Sequence, residues 1–422
     1  MNKQRIKEII IDQKETYLSL DYKTRDYTLD KNVNYCFVGI RRCGKSYLMY
    51  QLIHEVINSG VDEDKIIYIN FQDERLLEFE SSDFNKLLEV AEELANRKST
   101  PYLFLDEIQL VDGWEKFVRR IADMKYHISV TGSNSKMLSK EIASTLGGRF
   151  MIVNVYPYSF SEYLNAININ KKNLGVSTKS KAILSTSLNQ FLTYGAFPEL
   201  INISNKRDYL NSIYQTIYLG DIIVRNGLDN KFALRLILKK IAESVMNPIS
   251  YSRLYGITKS SGIGIGKQTV INYVGFSLDA QLIFQIQNYA AKLVEKEASP
   301  KYYFTDTGLL NLFEKKNSLS AQLENAVAIE LIRRHGLDNV YYYNKNIDID
   351  FYIPETNTAI QVSYDIDNDD TFKREIDSLV KFKTYFNDAK CIIITMDEEK
   401  NIVIDGVSVT ILSLSKWFLN NN

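Results

Sequence analysis

Residues 39–46 read Gly39-Ile40-Arg41-Arg42-Cys43-Gly44-Lys45-Ser46, and this octet restricts the fold of the chain more than any other stretch. The pattern G-x-x-x-x-G-K-S forms a phosphate-binding loop when it runs from a strand into a helix. Both flanks meet that condition. Tyr35-Cys36-Phe37-Val38 is a short apolar run with strand character. From Lys45 onward, Leu48, Met49, Leu52, Ile53, Val56 and Ile57 recur at helical spacing, and Gly60 can stop the helix. Backbone N–H groups of such a loop surround phosphate oxygens, and the helix N-terminus adds partial positive charge. Gly39, Ile40, Arg41, Arg42, Cys43, Gly44, Lys45, Ser46 and Tyr47 are therefore the candidate ATP contacts. Lys45 is placed for the outer phosphates and Ser46 for Mg2+.

A second strand, Ile66 to Asn70, and a helical segment, Asp83 to Ala95, lead to Tyr102-Leu103-Phe104-Leu105-Asp106-Glu107. Four apolar residues ending in two acids read as a buried parallel strand whose C-terminal end faces the ligand crevice. Asp106 is the candidate Mg2+ residue, directly or through water. Glu107 is placed to polarise an attacking water. The strand His127–Thr131 ends in Gly132-Ser133-Asn134. A polar side chain at that tip can hold the water or contact the γ-phosphate, with Asn134 the first choice and Ser133 the second. The alternative is a cap for a helix over Lys136–Leu146. Arg149 then precedes a fifth strand, Met151–Val155.

A chain of 422 residues exceeds one compact core, so several domains are expected. Lys and Arg number 51 against 52 Asp and Glu, so a nucleic-acid partner has to use a local patch. Cys36, Cys43 and Cys391 are isolated and form neither a metal spacing nor a disulfide framework, which suits a reducing cytosol. His54, His127 and His335 lie too far apart in sequence to suggest a histidine metal site. The start, Met-Asn-Lys-Gln-Arg, leads into no signal-peptide core, and no apolar stretch is long enough to cross a bilayer. A soluble cytoplasmic protein is expected.

Five segments occur in order: Gly39–Ser46 (GIRRCGKS), Leu103–Trp114 (LFLDEIQLVDGW), Thr131–Ser139 (TGSNSKMLS), Leu146–Arg149 (LGGR) and Tyr156–Tyr163 (YPYSFSEY). Together they resemble a prokaryotic AAA+-type ATPase family whose phosphate loop reads GxRRxGKS. That family's P-L-S-F segment is here Pro157-Tyr158-Ser159-Phe160. The resemblance implies a central sheet of strand order 5-1-4-3-2. It also implies that Arg149 is a candidate arginine finger, reaching the γ-phosphate of its own subunit or of a neighbour in a homo-oligomer.

Residues 166–190 are rich in Asn, Lys, Ser and Thr and suit a loop or linker. Phe191–Glu199 (FLTYGAFPE) is similar to the family's Y-L-x-x-G-G-F-P-E, with Ala196 for the second glycine. A helix through Tyr218 follows, and Asp221 and Arg225 are spaced to pair on one helix face. Residues 232–290 resemble a winged helix: helices over Leu234–Val245, from Tyr251, and over Lys267–Val274, then a wing strand Leu282–Ile286. The third helix of such a module can enter the major groove, which makes Lys267, Gln268 and Asn272 candidate DNA contacts. The same module also serves protein contacts and ATPase lids. Gly262–Lys267 looks like a second phosphate loop, but Ser261 and Gln268 break the pattern.

Pro300–Leu309 is similar to the family's linker into its last domain. Beyond it, the order helix, three strands, helix, strand resembles the restriction-endonuclease-like, PD-(D/E)xK core. Such a site needs carboxylates for Mg2+ and a lysine for the attacking water. Glu324 and Asp350 are the candidate acids, and Gln361-Val362-Ser363 stands where E-x-K is wanted. Ser363 cannot act as the lysine, which leaves Lys345 or Lys373 to substitute, so a retained fold without cleavage is expected.

The expectation is an α/β protein: a P-loop NTPase (AAA+-type) parallel sheet with helices, then a helical and winged-helix part, then a small α/β nuclease-like domain. The boundaries are 1–165, 166–230, 231–295 and 296–422. The expected function is Mg2+-dependent ATP hydrolysis that switches C-terminal domains binding DNA or protein. Two alternatives are an ATP-responsive scaffold with little turnover and an ATP-regulated nuclease.

Overall fold

The computed structural model describes the chain except residues 96–99, 134–145, 173, 292–298, 314–318, 367–368 and 421–422. It divides into two units, Met1–Tyr156 and Pro157–Asn422.

The first unit is built on a parallel sheet. Its strands are β1 (Tyr35–Val38), β2 (Ile66–Asn70), β3 (Tyr102–Asp106), β4 (His127–Gly132) and β5 (Met151–Asn154). Their order is β2-β3-β4-β1-β5, with every neighbouring pair parallel, which is the order 5-1-4-3-2. β1 and β3 are nearly continuous apolar runs because helices cover both faces of the sheet. Helices α1 (Lys3–Ser19), α2 (Lys45–Asn58), α3 (Phe84–Leu94) and α4 (Trp114–Asp123) lie between and around the strands. Ile6, Ile9 and Ile10 of α1, Leu87 of α3 and Val118 and Ile121 of α4 bury their side chains in one core with Ile67, Leu103 and Val130 of the sheet. The helix expected over Lys136–Leu146 falls almost wholly outside the described residues.

The second unit opens with α5 (Phe160–Ala166), and its first residue, Pro157, precedes the boundary expected at 165/166. Ser159 accepts from Glu162 N, and the Glu162 carboxylate accepts from Ser159 N. This reciprocal capping box starts a new helix immediately after the last strand of the first unit. The polar stretch taken for a linker is largely α6 (Thr178–Tyr194), again opened by a capping box at Ser177 and Ser180. Composition misled here: Ser187, Leu188, Phe191 and Leu192 suffice to bury one stripe, and the outer face can be Ser, Thr and Lys. Next come α7 (Lys206–Gln215) and a π-helical stretch, Thr216–Val224, in which Asp221 Oδ1 accepts at 3.0 Å from Arg225, the residue that follows the stretch.

α8 (Lys231–Ala242), α9 (Tyr251–Ser260) and α10 (Lys267–Asp279) pack on one another and lead into β6 (Ile283–Asn288) and β7 (Lys301–Phe304). β6 and β7 pair antiparallel, Ile283 opposite Phe304. The expected boundary at 295/296 therefore separates the two strands of one hairpin. The aromatic run Lys301-Tyr302-Tyr303-Phe304, expected as linker, is a buried strand. On its other side β6 pairs parallel with β8 (Tyr341–Asn344). The hairpin thereby belongs to one sheet with β8, β9 (Asp348–Ile353), β10 (Thr358–Val362), β11 (Lys390–Thr395), β12 (Lys400–Ile404) and β13 (Val407–Ser413). The full order is β12-β13-β11-β10-β9-β8-β6-β7.

A short helix α11 (Thr307–Asn311) and the longer α12 (Leu319–His335) and α13 (Asp369–Tyr385) complete the unit with α14 (Leu414–Leu419). Phe382 of α13 packs edge-on against Tyr343 and Tyr352 of the sheet. Asn325 of α12 uses its side chain as a strand would: Oδ1 accepts from Phe304 N at 2.8 Å and Nδ2 donates to Phe304 O at 3.0 Å. The observed order α12-β8-β9-β10-α13-β11 is the order read from the sequence, whereas β12, β13 and α14 were not anticipated.

Candidate functional site

The loop Gly39–Ser46 leaves the C-terminal end of β1 and enters α2 at Lys45. Gly39 needs to be glycine: a Cβ there would overlap Val155 O and lie 2.6 Å from Cys43 Sγ. Gly44 has φ +100° and Arg42 φ +64°, the two left-handed positions that turn the loop. Lys45 is buried, and its Nζ donates to Gly39 O at 3.1 Å and Ile40 O at 3.3 Å. Arg42 and Tyr47 are exposed, whereas Cys43 is buried under the loop.

Asp106 and Glu107 stand at the end of β3, beside the loop. Asp106 is fully buried and receives hydrogen bonds from the hydroxyls of Thr131, Ser46 and Tyr68, the last at 2.7 Å. Burial and the neighbouring Glu107 raise its carboxyl above the usual range, and the three hydroxyls pull it back down. Glu107 takes a left-handed conformation, φ +53° and ψ +39°, which turns its side chain out of strand register. Its Oε1 lies 3.9 Å from Lys45 Nζ, and its own N–H donates to Thr131 Oγ1 at 2.9 Å. Gln109 Nε2 donates to Glu107 Oε2 at 2.5 Å and reaches Ser133 Oγ at 3.4 Å. Gln109 Oε1 is buried without a hydrogen-bond partner among the described residues.

These positions fit a nucleotide with its metal. Ser46 and Asp106 bring a hydroxyl and a carboxylate into hydrogen-bonding contact, both hard oxygen donors of the kind Mg2+ takes. Lys45 supplies a buried cation at the N-terminus of α2.

Three supports were not read from the sequence. Arg25 is buried behind the loop, with Nη1 donating to Cys43 O at 3.0 Å and Nη2 to Tyr156 O at 2.8 Å. Tyr68 links Asp106 to Tyr50, whose hydroxyl lies 3.0 Å away. Tyr68 carries a signal in hindsight: it is the one polar-tipped residue inside the apolar run Ile66–Ile69, on the strand that neighbours β3. Gln109 follows Glu107 by two residues within a stretch already quoted for the family resemblance.

Asn134 lies outside the described residues; Ser133 is described and buried. Arg149 is half-exposed, with Nε on Asp123 Oδ1 at 2.5 Å and Nη1 on Gly147 O at 3.3 Å. Lys267, Gln268 and Asn272 all lie exposed at the start of α10, and Gln268 Nε2 donates to Asn272 Oδ1 at 3.1 Å. Glu324 and Asp350 come together around a third residue, Lys301: its Nζ is 3.3 Å from Glu324 Oε1 and 3.1 Å from Asp350 Oδ1. Gln361 joins strands rather than that group. It accepts from Asp350 N at 2.8 Å and donates to Asp348 O at 3.0 Å. Lys345 and Lys373, the substitutes read from the sequence, are not the lysine found there.

Residues 31–164 match a family model described as an AAA domain, and residues 185–320 match one described as a domain of unknown function. An uncharacterized protein of Methanocaldococcus jannaschii is 33% identical over 427 residues, covering 98% of this chain and 94% of that protein. An uncharacterized protein of Haemophilus influenzae is 27% identical over 414 residues, covering 96% and 98%. Among solved structures, the Walker-type ATPase of Pyrococcus abyssi is 16% identical, with 70% of this chain and 99% of that chain covered at a TM-score of 0.41. No helix among the described residues is long and apolar enough to cross a membrane.

Proposed function

The chain belongs to one family with the Methanocaldococcus jannaschii protein and carries an AAA domain, and we propose that this domain hydrolyses ATP to ADP and phosphate. The observation that carries the reading is the facing pair of Lys45 and Glu107, a buried ammonium and a buried carboxylate 3.9 Å apart at the mouth of the phosphate loop. A phosphate-binding cation beside a base is the minimum for in-line attack by water.

Lys45 exchanges its two loop carbonyls for oxygens of the outer phosphates. The loop N–H groups and the start of α2 hold the remaining phosphate charge. Mg2+ held by Ser46 and Asp106 would offset charge on the phosphate oxygens. Glu107 orients the attacking water and accepts its proton. Gln109 fixes the Glu107 carboxylate from the far side, and its Oε1, which has no hydrogen-bond partner among the described residues, is an acceptor for the same water. Ser133 closes that side of the site. Much of the rate enhancement in such a site comes from positioning and fixed charge. Lys45→Ala weakening ATP binding by about tenfold or more, and Glu107→Gln abolishing turnover while sparing binding, would support the reading. Full hydrolysis by the Glu107 variant would sink it.

The output of the cycle is a change in the second unit, cued by nucleotide state in the cytoplasm. The exposed Lys267, Gln268 and Asn272 at the start of α10 support DNA as the partner, with the three helices and the β6–β7 hairpin acting as a winged helix. Duplex binding that weakens steeply with salt, and changes between ATP and ADP, is the expected result. Absence of binding at low salt would instead favour a protein partner.

A further inference from the structure

Lys301 is the first residue of β7, and it is buried with its ammonium between two carboxylates from other elements: Glu324 on α12 and Asp350 on β9. The rest of the pocket is closed by the chain itself. Tyr303 Oη donates to Glu324 Oε1 at 2.7 Å, and Val362 N donates to Asp350 Oδ2 at 3.0 Å. The Gln361 amide is consumed by the β9 backbone. One oxygen is left over: Glu324 Oε2 is buried with no hydrogen-bond partner among the described residues. A buried carboxylate oxygen without a donor is costly.

The order α12-β8-β9-β10-α13-β11 resembles a nuclease core, which implies a divalent ion between these acids. The residues present do not fit one. An ion held by both carboxylates at about 2.1 Å would have to stand where the Lys301 ammonium stands. Two cations that close repel strongly in a buried site. Burial pulls the Lys301 ammonium toward neutrality, but Glu324, Asp350 and Asp348 outweigh it and hold the charge.

We propose that the Lys301 ammonium is the resident cation of the Glu324–Asp350 carboxylate pair, occupying the place of a divalent ion, so that the C-terminal sheet binds no metal there and cuts no nucleic acid. Lys301 arrives on the β6–β7 hairpin, so a strand outside the α12-to-β11 core supplies the charge that the core would otherwise take from solution. Removing the ammonium leaves two facing carboxylates and the unpartnered Glu324 Oε2, which is the composition of a vacant metal site.

The test is Mn2+ binding to the full nucleotide-free chain, followed by electron paramagnetic resonance, in wild type, Asp350→Asn, Lys301→Met and Lys301→Met with Asp350→Asn. Any ion held at the phosphate loop is common to all four and cancels. Wild type and Asp350→Asn are expected to bind the same number of ions. Lys301→Met is expected to gain one, about tenfold or more tighter than any further site, and the double variant to lose it. An ion in wild type that disappears in Asp350→Asn would overturn the proposal. So would a folded Lys301→Met protein that gains none. Should Lys301→Met fail to fold by circular dichroism, Lys301→Gln replaces it, and the wild-type comparison decides by the same criterion.

Discussion

Gln109 Nε2 and Glu107 Oε2 lie 2.5 Å apart, a hydrogen bond that fixes the carboxylate on which water activation is proposed to depend. Glu107 is itself the left-handed residue and Gln109 lies in the short 3-10 turn Ile108–Leu110 that follows, so the amide folds back on the acid instead of following the strand. Gln109→Ala frees the carboxylate to rotate without removing it. The expected result is a fall in kcat of about 5- to 20-fold with KM within about twofold, because a misoriented base costs less than a missing one. Steady-state ATPase kinetics check the split; a change confined to KM would count against it.

Lys45→Ala removes a buried cation that donates charge-assisted hydrogen bonds to phosphate. Such bonds are worth about 1.5–3 kcal/mol, so affinity for a fluorescent ATP analogue should fall by roughly 10- to 100-fold or more. The variant also leaves Glu107 without the cation at 3.9 Å. Isothermal titration with wild type alongside measures the loss.

Tyr68→Phe tests the Asp106 environment through pH. Tyr68 donates to the ionised form of Asp106, and that bond pulls the carboxyl downward against burial. Without it the carboxyl rises further, so the ionised form needed for Mg2+ is lost at a higher pH. The acid limb of the kcat/KM profile should therefore move upward. The alkaline limb should stay where it is.

Gly195→Ala is expected to damage the second unit. Gly195 has φ +75°, and a Cβ there would overlap the Asp306 carboxylate, which accepts from Ala196 N at 2.8 Å and Gly308 N at 2.9 Å. Strain and overpacking together should cost about 2–5 kcal/mol, read from urea unfolding. Gly308→Ala should behave similarly, since its Cβ would overlap Tyr194 O and lie 2.8 Å from Leu210 Cδ2. Neither change should alter nucleotide affinity per folded molecule.

These two glycines show what a sequence discloses and what it does not. The segments around Gly195 and Asp306 were each recognisable as motifs, yet nothing local says that they meet. Their contact joins positions more than a hundred residues apart, and only packing decides it. The phosphate loop and the acids after β3 were legible because their chemistry is written in adjacent residues. Strand order came with the family resemblance and agrees with the observed sheet. Tyr68 and Arg25 escaped because each acts from an element whose own pattern reads as ordinary strand or connector. Lys301 escaped for a related reason. It lies outside the α12-to-β11 core, on a hairpin strand whose sequence resembles a linker. The Ser- and Thr-rich face of α6 masks a helix in the composition, because only four of its residues bury.

The Asn325 side chain has a consequence for how copies of this chain can stack. β7 is a terminal strand, and terminal strands normally expose backbone groups to which another chain's strand can add. Here Asn325 takes both backbone groups of Phe304, and Ile249 N takes Pro300 O just before the strand at 3.1 Å. Strand addition at that edge is blocked at both ends. The opposite terminal strand, β12, pairs with β13 alone and carries Val403 with 73% of its surface exposed. Edge-to-edge growth of this sheet, toward a dimer or toward aggregate, accordingly has one direction open to it, and a lysine placed at Val403 is the substitution that would shut it.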